Sequence, residues 1–218
     1  MKKKIFNKYA TILLIFIIGS FIGFLHENIL EIVQGYNRLK QGLIYEPLIP
    51  VYGIGALIYY YIYKDIPKKH NKLLNILIVF FIGFILGGCV EYFLSYMQEK
   101  IFGTVSWNYV YLKFNLNGRT SLFHASFWGI TGVLFYYLLL PQLKKLEAYI
   151  EKSNHYILII VLSGILLFDC TISTVACLRH AQRREGLIPQ NSIEEFLDRH
   201  YPDEYLNRIY PTARIPKR

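Results

Sequence analysis

A chain of 218 residues that is 54% hydrophobic, 17% aromatic and only 18% charged is too apolar for an ordinary soluble domain, where about 45–50% apolar and about 25% charged is usual. Its 24 Lys and Arg exceed its 15 Asp and Glu, giving a net charge of +9. Because the apolar residues come in blocks parted by lysine-rich gaps, that excess reads as membrane topology before it reads as a nucleic-acid surface.

Five stretches are long and apolar enough to cross a hydrocarbon core of about 30 Å as helices: Ala10 to Val33, Pro47 to Tyr63, Leu73 to Met97, Ser121 to Leu140 and Tyr156 to Cys177. The first follows Met1-Lys2-Lys3-Lys4 as a signal peptide would, but no small-residue cleavage site follows it, so it reads as an uncleaved span. The expected fold is all-α and polytopic, with a bundle over residues 1–178 and an extramembrane tail over 179–218. In the tail, Ser192-Ile193-Glu194-Glu195 reads as a capping box, and Pro202 followed by Asp203 and Glu204 reads as a second helix start. Three cysteines match no zinc or disulfide pattern.

Lysines and arginines orient the spans. Lys2, Lys3, Lys4 and Lys8 before the first span, Lys64, Lys68, Lys69 and Lys72 in the second gap, and Lys144, Lys145 and Lys152 in the fourth outweigh Arg38 and Lys40 in the first gap and Lys100, Lys113 and Arg119 in the third. The positive-inside rule puts the N-terminus in the cytoplasm of a cell-membrane protein and the first and third gaps outside. Five spans also put the tail outside, against which Arg179, Arg183 and Arg184 argue.

The first and third spans share a register: Gly19-x3-Gly23-x3-Glu27 lies over Gly83-x3-Gly87-x3-Glu91. The second and fourth match through Gly42 and Tyr52-Gly53-Ile54 over Gly118 and Trp128-Gly129-Ile130. The chain therefore reads as two parallel two-helix repeats, 10–64 and 73–140, plus a fifth helix at 156–177. Chance similarity between apolar helices is the plainer alternative. Glycines four apart lie on one face and admit a neighbouring backbone, and Glu27 and Glu91 continue that face toward the bundle interior.

A carboxylate inside the membrane costs on the order of 2.5–3.5 kcal/mol on insertion scales unless it is paired, protonated or facing water. Candidate partners are Arg38 and Arg119, with His26, His124 and Asp169 on flanking helices. Trp107 and Tyr109 suit the headgroup level, Asn115 and Asn117 flank Arg119, and Pro47 and Pro50 delay the second helix, placing Tyr52 in its first turn. Each residue has a duller reading: register-locking ion pairs for Glu27 and Glu91, packing for the histidines, interfacial anchoring for Trp107 and Tyr109, and helix bridging for Asp169. There is no P-loop and no His-x3-His or His-Glu-x2-His spacing, so neither nucleotide hydrolysis nor a metal or other cofactor is expected.

Several of these pieces together resemble the bacterial membrane family labelled ABC-transporter permeases of the type IV, CmpB-like group. They are Gly23-x3-Glu27, Pro47-x2-Pro50-x-Tyr52-Gly53, Glu91-Tyr92-x2-Ser95, Trp107-x-Tyr109 with Phe114-Asn115-Leu116-Asn117-Gly118-Arg119, Trp128-Gly129, Asp169 and Tyr201-Pro202-Asp203-Glu204. The chain departs from the family pattern at Gln41, Glu46 and Asn108. The resemblance implies a permease working with a separate ATPase subunit. Three functions are carried forward. In the first, a permease moves a solute along a path lined by Glu27, Glu91 and Asp169, with Arg38 or Arg119 at its mouth. In the second, a membrane-embedded enzyme or lipid-handling protein uses Arg119 to bind phosphate and Glu27 or Glu91 as acid or base. In the third, a structural subunit docks through its glycine faces. The bilayer, an ATPase subunit and a second copy of the chain are the candidate partners; nucleic acid is not.

Overall fold

The computed structural model describes residues 2–36, 38–66, 71–152 and 155–216. Lys68 and Lys69 of the second basic gap lie outside the described residues. Helices α1 (Lys2–Val33), α2 (Pro50–Tyr63), α3 (Lys72–Phe102), α4 (Leu122–Leu134), α5 (Leu140–Lys152) and α6 (Tyr156–Arg184) form the bundle, and α7 (Ser192–His200) and α8 (Asp203–Ile209) the tail. One short hairpin, β1 (Asn115–Leu116) with β2 (Thr120–Ser121), breaks the all-helical pattern.

Among the described residues, four helical stretches are long and apolar enough to cross a membrane: Lys3–Val33, Lys72–Phe102, Leu122–Lys152 and Tyr156–Arg184. Their outer faces carry exposed Ile157, Ile160, Leu167, Phe168, Phe81, Ile85 and Leu138, a surface suited to lipid rather than water. The protein is a membrane protein. The expected second span is shorter than the others, because Pro50 opens a helix of only 14 residues, about 21 Å long at about 1.5 Å per residue.

Local chemistry sets the helix ends. Asn71 caps α3 by accepting the Leu74 N–H at 2.7 Å, and Gly103, with φ of +66°, ends it well past the expected Met97. The fourth span is expected to end at Leu140, just before Pro141. Instead the chain widens into a π-helical turn over Phe135–Leu139 and continues as α5, because one wide turn absorbs the N–H that proline lacks. Asn191, not Ser192, caps α7, accepting from Ile193 and Glu194 N–H, while Glu194 accepts the Gln190 N–H at 2.6 Å.

Two helical hairpins make the core. Gly19 and Gly23 of α1 lie against Ala56 and Tyr52 of α2, and Gly83 and Gly87 of α3 lie against Gly132 and Trp128 of α4. Phe16 crosses to Gly53 in the first pair as Phe80 crosses to Gly129 in the second. The hairpins join through Tyr59, Tyr60 and Tyr63 of α2 against Val79, Trp128, Phe135 and Tyr136. Helix α6 stands beside α1, with Ile159 packed against Ala10 and Leu13.

The tail meets both expected outer gaps. Ile44 of the first gap packs among Ala176, Leu197, Tyr201 and Leu206, Gln41 donates its N–H to the Ile209 carbonyl, and Val105 of the third gap bridges Arg214. The tail therefore shares one end of the bundle with both gaps. Arg179 donates to Asp198 at 2.8 Å and Arg183 donates to Asp198 and Asp203, both at 2.6 Å. Two of the three arginines that argue against that placement, Arg179 and Arg183, are thus committed inside the fold. Their hydrogen bonds, Arg179's foremost, hold the Asp198 carboxyl down to about 2 from an ordinary 3.8. A depressed carboxyl pKa stabilises the fold above the ordinary value and loses that contribution as pH falls through the depressed one. Tail docking, followed by limited proteolysis, should be independent of pH above about 4 and weaken between about 4 and about 2. An unchanged proteolysis pattern down to that limit would show that the pair does not hold the tail.

Candidate functional site

The glycine registers deliver Glu27 and Glu91 to the inner faces of α1 and α3, where the two hairpins meet. Glu27 accepts the Tyr52 hydroxyl at 2.6 Å and the Lys40 ammonium at 2.9 Å. His26 Nδ1 lies 3.1 Å from the same Tyr52 oxygen, and the Tyr52 ring stands 5.5 Å from that of Trp128 in the other hairpin. Glu91 is 6% exposed and accepts the Tyr109 hydroxyl at 3.0 Å. Tyr109 stacks on His124 at 3.6 Å, and Ser121 Oγ lies 2.9 Å from His124 Nδ1. Tyr52, bonded to Glu27, stands against Trp128, and Trp128 lies against Gly87, one turn before Glu91 on α3. Glu27, Tyr52, Glu91, Tyr109 and His124 therefore form one polar cluster.

The first gap supplies the cation. Asn28 clasps the Lys40 backbone, donating to its carbonyl and accepting its N–H, each at 2.9 Å. The ammonium is thereby delivered between Glu27 and Glu31, 2.8 Å from Glu31 Oε1. Burial works against the charged Lys40, but the Glu27 and Glu31 carboxylates outweigh it and hold its pKa above the ordinary lysine value. Arg38 pairs with Glu31 rather than with Glu27.

The third gap is built by its Asn117-Gly118 turn. Both residues have positive φ, +54° and +69°, and form the centre of a turn closed by the Arg119 N–H to the Leu116 carbonyl at 3.0 Å, within the loop of residues 117–119 that joins β1 to β2. A side chain at Gly118 would run into Asn108 and Val110. Asn115 holds the turn by accepting the Gly118 N–H at 2.9 Å and donating to the Leu112 carbonyl at 2.7 Å. Trp107 donates to the Arg119 carbonyl at 2.8 Å. Asn117 donates to the Tyr92 hydroxyl at 3.0 Å. Burial, with Glu91 beside it, pushes the Tyr109 phenol up, so Tyr109 stays a neutral donor.

Arg119 lies outside the cluster. It pairs with Glu99, donates weakly to Ser95 Oγ at 3.4 Å, and with Trp107 and Asn117 lines a separate cavity of about 200 Å³. A guanidinium already held by a carboxylate is poorly placed to take up a phosphate.

Asp169 is also elsewhere. It is 1% exposed and accepts the backbone N–H groups of Tyr45 and Glu46 at 3.0 and 2.6 Å, together with the Ser173 hydroxyl at 3.0 Å. Ser173 in turn accepts the Ile44 N–H at 2.9 Å. Asp169 is thus the helix-to-loop anchor for non-helical backbone that enters the bundle ahead of α2. Such backbone needs a partner within the protein at membrane depth.

Sequence reasoning missed Lys40, Glu31 and Glu99 as partners. Glu31 and Glu99 were visible as further carboxylates four and eight residues along the faces of Glu27 and Glu91. Lys40 had no signal beyond its charge, because the Asn28 clasp that positions it spans twelve residues.

No curated protein and no solved structure matches the chain. The model of one family, described as Putative ABC-transporter type IV, matches residues 14–174 and so takes in both hairpins, the polar cluster and Asp169. With most of its length inside that match, the chain belongs to the ABC-transporter type IV (CmpB) family.

Proposed function

We propose that this chain is a permease-like membrane subunit in which two parallel helical hairpins enclose a solute path lined by Glu27, Glu91, Tyr52, Tyr109 and His124. The observation that carries the reading is the convergence of Glu27 and Glu91, one from each hairpin, on either side of the contact between Tyr52 and Trp128. Matched contacts support the repeat: each glycine pair meets the corresponding residues of its partner helix, and Phe16 and Phe80 play corresponding parts. On this reading α2 crosses together with the extended segment before it, giving five spans, and Asp169 supports the path without lining it. The outer end carries both gaps and the tail. The basic end, where Lys144 donates to the Lys64 carbonyl and α5 exposes Lys145, faces the cytoplasm and offers the coupling surface for an ATPase subunit.

A strain lacking the chain and supplied with the E27Q/E91Q double variant should behave like the deletion strain, at wild-type membrane yield and thermal stability. Full rescue by that variant removes the carboxylates from the mechanism.

A further inference from the structure

An open apolar groove of about 560 Å³ runs along the lipid side of α3 and α4, under the β1–β2 hairpin. Phe84, Gly88, Cys89, Tyr92, Leu122 and Ala125 are among its walls, and Thr120 closes one part of it. Thr120 is 8% exposed, and its hydroxyl has no hydrogen-bond partner among the described residues. Beside it lies the Glu91 carboxyl, one helical turn on from Gly88. Thr120 and Trp128 stand near that carboxyl, yet neither completes a hydrogen bond to Glu91 Oε2, which is buried and unpartnered among the described residues.

The neighbouring carboxylates differ in one respect. Glu27 has Lys40, Glu31 has Lys40 and Arg38, and Glu99 has Arg119. Among the described residues Glu91 has no cation partner, and the Tyr109 hydroxyl donates to its other oxygen. A buried carboxylate short of a cation at the edge of an apolar groove is complementary to one kind of molecule: an ammonium carried on an alkyl chain. The alkyl chain would lie against the apolar walls of the groove and the ammonium would meet Glu91 Oε2 and the Thr120 hydroxyl.

We infer that the groove under the β1–β2 hairpin is a lateral entry site for a single-chain cationic amphiphile, whose ammonium docks between Glu91 and Thr120. The inference rests on the path proposed above and names the class of molecule that enters it. Entry from the bilayer would bring the head of the molecule directly to the cluster shared with Glu27, without passage through the Arg119–Glu99 cavity.

The test is fluorescence quenching in a non-ionic detergent. The indole of Trp128 packs on Gly87, next to the groove residue Gly88. The probes are dibrominated octadecylamine and dibrominated octadecanoic acid, which share a chain and differ in head charge. The amine should half-quench at a concentration at least about tenfold below the acid, as expected of a hydrogen bond to a charged group. Glu91→Gln should remove that preference. So should Cys89→Phe, which fills the groove from an exposed position and leaves Glu91 in place. Equal quenching of the wild-type protein by the two probes, or a preference retained in either variant, overturns the inference. Should Glu91→Gln fail to purify, the wild-type comparison and Cys89→Phe still decide. A failure here leaves a solute entering from the water side untouched, since the E27Q/E91Q rescue tests that separately.

Discussion

Replacing Asp169 by alanine is expected to destabilise the protein by about 3 kcal/mol or more, because buried donors left without acceptors cost about 1–3 kcal/mol each. Three donors lose their partner at once: the N–H groups of Tyr45 and Glu46 and the Ser173 hydroxyl. At 1% exposure Asp169 is closed off from bulk solvent. The segment before α2 should detach from α6, and with it the contact of Ile44 with Leu197, Tyr201 and Leu206 that seats the tail. Asp169→Asn, which keeps one acceptor oxygen, should fall between wild type and alanine. Thermal unfolding in detergent, paired with protease sensitivity of residues 41–49, reads both effects. Unchanged melting and cleavage in Asp169→Ala would show that the anchor contributes nothing, and would return Asp169 to the list of path residues.

Gly87→Ala is the second large effect. A Cβ at Gly87 would overlap the Cβ and ring of Trp128, and both belong to packed helices that cannot part without disturbing Glu91 one turn away. Overpacking of this kind costs about 1–3 kcal/mol. It should also lower the cluster's integrity, visible as a shifted Trp128 emission. Gly164→Ala on α6 is the matched control, because nothing lies within 4 Å of a Cβ there. That change should be neutral or stabilising by up to about 1 kcal/mol through helix propensity alone. Equal effects of the two substitutions would mean that the α3–α4 approach is not sterically limited.

The parts of this fold that depend on periodicity were legible in the sequence. Glycines and glutamates four residues apart must share a helical face, so the placing of Glu27 and Glu91 on inner faces needed no knowledge of the gaps. Partner identity did depend on the gaps. Lys40 reaches Glu27 only because Asn28 clasps its backbone, and Arg119 reaches Glu99 because α3 runs on to Phe102. Asp169 was visible as a costly buried charge, but two of its three partners are backbone N–H groups, which carry no side-chain signature. The β1–β2 hairpin had a local signal in Asn117-Gly118, overshadowed by the all-helical reading of the chain. The passage of the helix through Pro141 had none, because a π turn trades one hydrogen-bond spacing for another without requiring a particular residue.

The proposed role, the membrane subunit of an ATP-driven transporter with its solute path between two hairpins, requires an ATPase partner. Mild-detergent purification of the tagged chain from its native membrane, with mass spectrometry of what accompanies it, reads that requirement. A stoichiometric ATPase subunit is expected, and it should be retained in E27Q/E91Q because Glu27 and Glu91 sit toward the ends of α1 and α3 opposite Lys8 and Lys72. Reproducible absence of any ATPase from the wild-type preparation would rule the proposed role out.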